Sequence, residues 1–185
     1  MQTLAFVTNN EGKFKEVSAL LDLPLEQVSI HTDEIQSLDP VAIVRHKALT
    51  AYEHVHIPLI VDDTSLHIKA WNGFPGPFIK HIVEAGGMEL FLMMMQGTAD
   101  RRADFVTTIG YYDGKEFRHV AGTAHGKIAD EIIGGKSWGI NGIFIPDGGD
   151  RVYSEMTLEE KNTLSHRAKA VHALKGILEL RHPRT

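Results

Sequence analysis

Three features carry residue types that could act on a phosphorylated substrate. The first, Thr8-Asn9-Asn10-Glu11-Gly12-Lys13, follows an apolar run and precedes residues at helical spacing. Backbone N–H groups at a helix N-terminus, a glycine that permits close approach and a lysine on the first turn can bind phosphate. The same residues also fit an ordinary polar turn with a solvated lysine. The second is a carboxylate group, Glu34 and Asp62-Asp63, each placed just after a strand-like run. Mg²⁺ favours one or two carboxylates completed by water and substrate phosphates, and Mn²⁺ accepts the same oxygen ligands. Adjacent aspartates can also divide the work, one to metal and one to structure, or merely cap a turn. The third is Lys161-Asn162-Thr163-Leu164-Ser165-His166-Arg167. With Ser165 as helix cap, its His and Arg offer donors to an anion or a purine edge; an amphipathic helix start with solvated charges fits equally.

Other familiar chemistries fail on composition or spacing. The chain has no cysteine, which removes disulfides, thiolate nucleophiles and zinc ribbons together. Gly135-Lys136-Ser137 resembles the end of a phosphate-binding P-loop, but position 130, where the first glycine should stand, is Asp130. There is no G-x-G and no H-E-x-x-H, and His54 with His56 lacks a third ligand.

The elements that must hold these residues are legible from periodicity. Leu4-Ala5-Phe6-Val7 predicts a buried strand running into the first segment, and Phe14, Val17, Leu20 and Leu21 predict one face of a helix. Val28 and Ile30 predict a second strand. Asp39-Pro40 predicts a helix entry ahead of Val41, Val44, Ala48 and Tyr52. Leu59-Ile60-Val61 predicts a third strand that ends directly on Asp62-Asp63. Two helices are predicted at about 77–85 and 87–96, with Met93-Met94-Met95 read as helical core. Asp113-Gly114 predicts a hairpin turn, Gly134 to Gly142 a glycine-rich loop before an Ile143-Phe144-Ile145 strand, and Thr157 to Glu160 a capping box. A final helix from about Ser165 turns Ala168, Val171, Leu174 and Leu178 inward. Early alternation of strand and helix with a hairpin in the middle predicts an α/β fold with a mixed sheet.

The 185 residues fit a single domain spanning 1–185, with 43% hydrophobic and 23% charged residues excluding the disordered class. A formal net charge of −5 disfavours sequence-independent nucleic-acid binding. The start lacks a basic region and is expected not to be a signal peptide, and the longest apolar run, Leu90 to Met95, is too short to span a bilayer. No membrane partner and a cytoplasmic location are therefore expected.

Taken together, the segments Thr8 to Glu16, Glu34-Ile35-Gln36, Val61 to Leu66, Asn72 to Lys80, Ile143 to Gly148 and Glu155 to Ala168 resemble the inosine/xanthosine triphosphate pyrophosphatase family, in order and spacing over nearly the whole chain. The resemblance implies a two-lobed mixed α/β fold, its elongated sheet flanked by helices with a central nucleotide cleft, and a homodimer. It implies Mg²⁺-dependent hydrolysis of ITP, dITP and XTP, purine nucleoside triphosphates, to the monophosphate and pyrophosphate, cleaning the nucleotide pool. It further implies that Thr8, Asn9, Asn10, Glu11, Gly12 and Lys13 form the triphosphate loop. Glu34 and Asp63 would be metal ligands, with Asp63 also the base. Lys47 and Thr64 would line the phosphate site, and Trp138, Gly139, Ile140 and Asn141 would form the base loop. Lys161, His166 and Arg167 would complete nucleotide binding.

The base loop departs from the family pattern at two positions. Asn141 stands where the family usually carries Asp, and Ile140 where it carries an aromatic ring. A carboxylate only accepts hydrogen bonds and so opposes the bare N1 of adenine, whereas an amide offers donor or acceptor. Weaker rejection of ATP follows as an expectation. The rival readings are a catalytically impaired nucleotide-binding module and a Maf-like pyrophosphatase with a different base preference. Retention of the carboxylates and cations argues against the first, and Ser165-His166-Arg167 against the second.

Overall fold

The computed structural model describes residues 3–31, 33–134 and 139–181. In chain order its elements are β1 (Leu4–Val7), α1 (Glu11–Ser18), β2 (Leu25–Val28), α2 (Pro40–Val55), β3 (Leu59–Ile68), β4 (Pro75–Gly76), α3 (Ile79–Met94), β5 (Arg102–Tyr112), β6 (Phe117–Ile128), β7 (Phe144–Pro146), α4 (Leu158–Leu164) and α5 (His166–Arg181). The strands form one seven-stranded sheet in the order β2-β1-β3-β5-β6-β7, with β4 paired to β3. β1 runs parallel to β2 and β3, while β3–β4 and β6–β7 are antiparallel, so the sheet is mixed as the alternation predicts. Among the described residues, no helix is long and apolar enough to cross a membrane.

Contacts divide the chain into two compact units, and β3, β5 and β6 contribute residues to both. The first comprises residues 1–63, 107–122 and 166–185. Its sheet is covered on both faces. Leu4, Phe6 and Ile60 pack with Val17 and Leu21 and with Ala170, Val171 and Leu174 of α5. Ala5, Val7, Leu59 and Val61 point the other way, onto Val44, Ala48 and Ala51 of α2. Alternate residues of one strand thus serve opposite layers, as the period of two requires. The second unit, residues 64–106 and 123–165, packs Leu66, Ile68, Phe105 and Phe144 against Ile79, Met88 and Phe91 of α3, with Ile140 and Ile143.

Local signals act where the sequence places them. Asp39 caps α2 by accepting from the Val41 N–H at 2.9 Å, with Pro40 in the first turn. Thr157 and Glu160 close the capping box of α4. The Asp113 carboxylate accepts from the Lys115 and Glu116 N–H groups in the β5–β6 turn. The two helices predicted at about 77–85 and 87–96 are the two halves of α3, separated by non-helical geometry at Gly86 and Gly87, where Gly87 has φ of 67°. Within the methionine run, Met95 is core, whereas Met93 and Met94 are exposed, which corrects the reading of the run as core.

Two further expectations are corrected. The second strand is Leu25–Val28 rather than one centred on Val28 and Ile30, because residues 25 to 28 are the ones in register with Leu4 to Val7. The third strand does not end at Asp62-Asp63 but runs on to Ile68. Thr64, Ser65 and Leu66 sustain an extended chain, and β4 supplies a partner for Leu66 and His67. What ends beside Asp62 is β1, whose pairing with β3 is Ala5 to Leu59 and Phe6 to Ile60.

Candidate active site

The loop after β1 is shaped by its own side chains. The Thr8 hydroxyl accepts from the Asn10 N–H at 3.2 Å, and the Asn10 carbonyl oxygen of the side chain accepts from the Lys13 N–H at 2.9 Å, capping α1. A Cβ at Gly12 would lie 3.1 Å from that Asn10 oxygen, so the missing side chain keeps the cap undisturbed. Asn9, Glu11 and Gly12 are exposed. Lys13 and Glu16, one helical turn apart, project from the same face of α1.

Strand parity decides where the two aspartates point. Asp62 has the parity of Ile60 and faces the α1 and α5 layer; Asp63 has the parity of Leu59 and Val61 and faces the α2 layer. Asp62 is buried, and both of its carboxylate oxygens are engaged. Oδ1 accepts from Lys13 Nζ at 3.0 Å and Oδ2 from the Arg167 guanidinium at 3.2 Å. Its backbone carbonyl accepts from Lys47 Nζ at 3.3 Å. Arg167, also buried, donates to Glu16 Oε2 at 2.7 Å, and Lys47 donates to Glu34 Oε1 at 2.7 Å.

The protonation states follow from these surroundings. Burial opposes ionisation of Asp62, but Lys13, Arg167 and Lys47 outweigh it and hold its carboxyl at about 2. Asp63 goes the other way: burial raises its carboxyl to about 6, Asp62 and Glu34 add to the rise, and Lys47 and Lys13 only partly offset it. Burial lowers the Lys13 ammonium, with Asp62 opposing. For Arg167 burial acts downward too, yet Asp62 and Glu16 hold the guanidinium above its ordinary value. Asp63 Oδ2 is buried and has no hydrogen-bond partner. An acceptor left this way costs free energy that a cation or a water would recover.

The N-terminus of α5, which carries Arg167, is seated on the sheet by two contacts. Thr107 Oγ1 and His166 Nδ1 share a buried 2.5 Å hydrogen bond. Gly122 on β6 lies so close that a Cβ there would come 2.2 Å from the His166 carbonyl oxygen and the Ala170 nitrogen.

The first unit therefore gathers Lys13, Glu34, Lys47, Asp63 and Arg167 from the predicted set, with Thr8 to Gly12 leading into them and His166 beside Arg167. Thr64, Gly139, Ile140, Asn141 and Lys161 belong to the second unit. There Lys161 is buried, with its ammonium 5.4 Å from the Tyr153 ring centre, and the Asn141 carbonyl accepts from the Ser154 N–H at 3.0 Å. The Ile140 side chain is buried in that unit's core, so a contact from this position to a ligand would be through its backbone. Trp138, with Gly135 to Ser137, lies outside the described residues. Sequence reasoning missed Glu16 and the full engagement of Asp62. The first could have been found from its spacing to Lys13, and the second by carrying the alternation of Leu59 to Val61 two residues further.

No group of three His, Asp or Glu side chains able to hold a metal occurs among the described residues. What this unit offers is Asp63, with an unpartnered buried oxygen, and the Glu34 carboxylate on Lys47. That set fits an ion that keeps its waters and takes further oxygens from a phosphate, as Mg²⁺ does.

Such a site, an acid pair and three cations around the end of a parallel strand in a mixed sheet, defines an α/β protein suited to an anionic ligand. The chain belongs to the Ham1 family, whose model matches residues 4–177. It is 39% identical over 179 residues to the dITP/XTP pyrophosphatase of Saccharolobus solfataricus, covering 95% of this chain and 93% of that one. It is 36% identical to the inosine triphosphate pyrophosphatase of Scheffersomyces stipitis, with 96% and 98% covered. Among solved structures, a HAM1 protein from Coxiella burnetii superposes with a TM-score of 0.85 at 26% identity, over 97% of this chain and 100% of that one.

Proposed function

We propose that this protein is a nucleoside-triphosphate pyrophosphatase that hydrolyses ITP, dITP and XTP to the monophosphate and pyrophosphate, and so clears deaminated purines from the nucleotide pool. The observation that carries the reading is Asp63: a carboxylate with its pKa raised to about 6 and one buried, unpartnered oxygen, set beside Lys13, Lys47 and Asp62. A base poised near neutrality next to a cation array is what water-driven cleavage of a phosphoanhydride needs, since catalysis there is chiefly positioning and charge stabilisation.

In this mechanism the loop Thr8 to Lys13 and the Lys13, Lys47 and Arg167 cations bind the triphosphate, with Thr64, Lys161 and His166 completing the nucleotide contacts. Asp63 takes the proton of the water that attacks the α-phosphorus. The α–β anhydride bond breaks, and pyrophosphate leaves with the electron pair. Glu34 and Asp63 would hold Mg²⁺, which when bound neutralises phosphate charge; Mn²⁺ suits the same oxygens. Trp138, Gly139 and Asn141 would meet the base, with Ile140 contributing backbone. A homodimer and a cytoplasmic location complete the proposal, on the strength of the family resemblance.

The test is product analysis with ITP, XTP, ATP and GTP, each with and without Mg²⁺. Metal-dependent release of pyrophosphate, rather than orthophosphate, from ITP and XTP is expected. Release of orthophosphate, or of nothing, would overturn the reading.

A further inference from the structure

One residue touches every cation of the array and has no part in the mechanism above. Asp62 accepts from Lys13 with one carboxylate oxygen, from Arg167 with the other, and from Lys47 with its backbone carbonyl. We infer that Asp62 is the positioning residue of this site: its carboxylate holds the Lys13 ammonium and the Arg167 guanidinium in one fixed arrangement before any substrate arrives. The inference rests on the phosphate-binding reading above and deepens it.

Three observations support this role over that of a second metal ligand or base. Both Asp62 oxygens are already engaged by cations and the residue is buried. Its strand parity turns it toward α1 and α5, on the opposite face from Asp63 and from α2, whose Lys47 pairs with Glu34 of the preceding loop. Finally, the contacts close a circuit. Lys13 on α1 meets Asp62 on β3, Asp62 meets Arg167 on α5, and Arg167 returns to Glu16 on α1.

The physical consequence is preorganisation. A lysine has four rotatable side-chain bonds, and ordering it on binding costs affinity. Asp62 imposes that order in the folded protein. An ammonium has three N–H donors and Asp62 takes one, so donors remain for a phosphate while the nitrogen stays in place. An amide at position 62 would lose the charge and turn an NH₂ toward one of the two cations.

The experiment compares wild type, Asp62→Asn and Asp62→Glu by two readouts. Acylation with acetic anhydride, resolved by mass spectrometry, follows Lys13 against the exposed Lys15 as internal standard. Steady-state pyrophosphate release from ITP gives KM and kcat. Lys13 is expected to react roughly tenfold faster in Asp62→Asn with Lys15 unchanged, and KM to rise by a similar factor, more than kcat falls. Asp62→Glu, which keeps the charge, is expected to restore slow Lys13 labelling. A loss of thermal stability without selective labelling of Lys13 would make Asp62 merely structural and overturn the inference. If Asp62→Asn does not fold, wild type decides by ¹⁵N-detected NMR: a persistent Lys13 ammonium signal without nucleotide, absent for Lys15, is expected. Its absence would overturn the inference. Failure of wild type to cleave ITP would instead overturn the functional reading, and the Lys13 measurements would still decide the role of Asp62.

Discussion

Asp62 and Asp63 are neighbours of one type held at opposite ends of the carboxylate range, about 2 and about 6. The difference is orientation: the Asp62 carboxylate is paired with Lys13 and Arg167, whereas Asp63 keeps a buried oxygen with no hydrogen-bond partner. As a base, Asp63 must be ionised; burial raises its carboxyl to about 6 without metal, and a bound Mg²⁺ would lower it, so the acid limb of kcat/KM for ITP should move to lower pH as Mg²⁺ is raised. The Asp63→Asn variant should lose that limb. Linkage gives stability consequences of opposite sign. Because the folded pKa of Asp63 is raised, its stabilising contribution is present below its ordinary 3.8 and lost as pH rises through about 6. Urea denaturation should therefore find Asp63→Asn more stable than wild type at pH 8, by something of order 1 kcal/mol, and the gap should close at pH 4. For Asp62 the folded pKa is depressed, so its contribution is present above 3.8 and lost as pH falls toward about 2. That amounts to about 2 kcal/mol, visible as acid lability that Asp62→Asn lacks.

Among the elements, α5 depends on how closely it can approach the sheet. Gly122→Ala would drive a methyl into the His166 carbonyl oxygen and the Ala170 nitrogen. Overpacking of this kind costs about 1–3 kcal/mol or more, measurable as a lower urea midpoint, and the displaced Arg167 should raise KM for ITP. The base loop has its own test. If Asn141 weakens rejection of adenine, Asn141→Asp should raise the ITP-over-ATP ratio of kcat/KM; equal ratios would remove the residue from base selection. Much of this was legible beforehand. The Asp39-Pro40 entry, the Thr157 to Glu160 box and the Asp113-Gly114 turn are local chemistries that tertiary packing did not alter. The continuation of β3 was not, because a strand through two adjacent aspartates is stabilised by partners distant in sequence, the cations of α1 and α5. Spacing puts Glu16 on the Lys13 face of α1, but its pairing with Arg167, 151 residues away, was not legible for the same reason.

Across the whole molecule, a net charge of −5 coexists with a local array of three cations, and each cation is matched to a carboxylate. Long-range attraction to polyanions is therefore absent, and no duplex DNA binding is expected at physiological salt. A triphosphate would be bound by short-range hydrogen bonds instead, which suits a small, compact ligand. The family was readable from segments scattered over the chain that resemble its pattern in order and spacing, and the family model matches residues 4–177. The measurement that tests the central claim most directly is pyrophosphate release from ITP in the presence of Mg²⁺, by wild type and by Asp63→Asn. Stoichiometric release by wild type and a roughly 10²–10⁴-fold lower kcat in the folded variant are predicted. An unchanged kcat would contradict the role given to Asp63, and with it the chemistry assigned to this site.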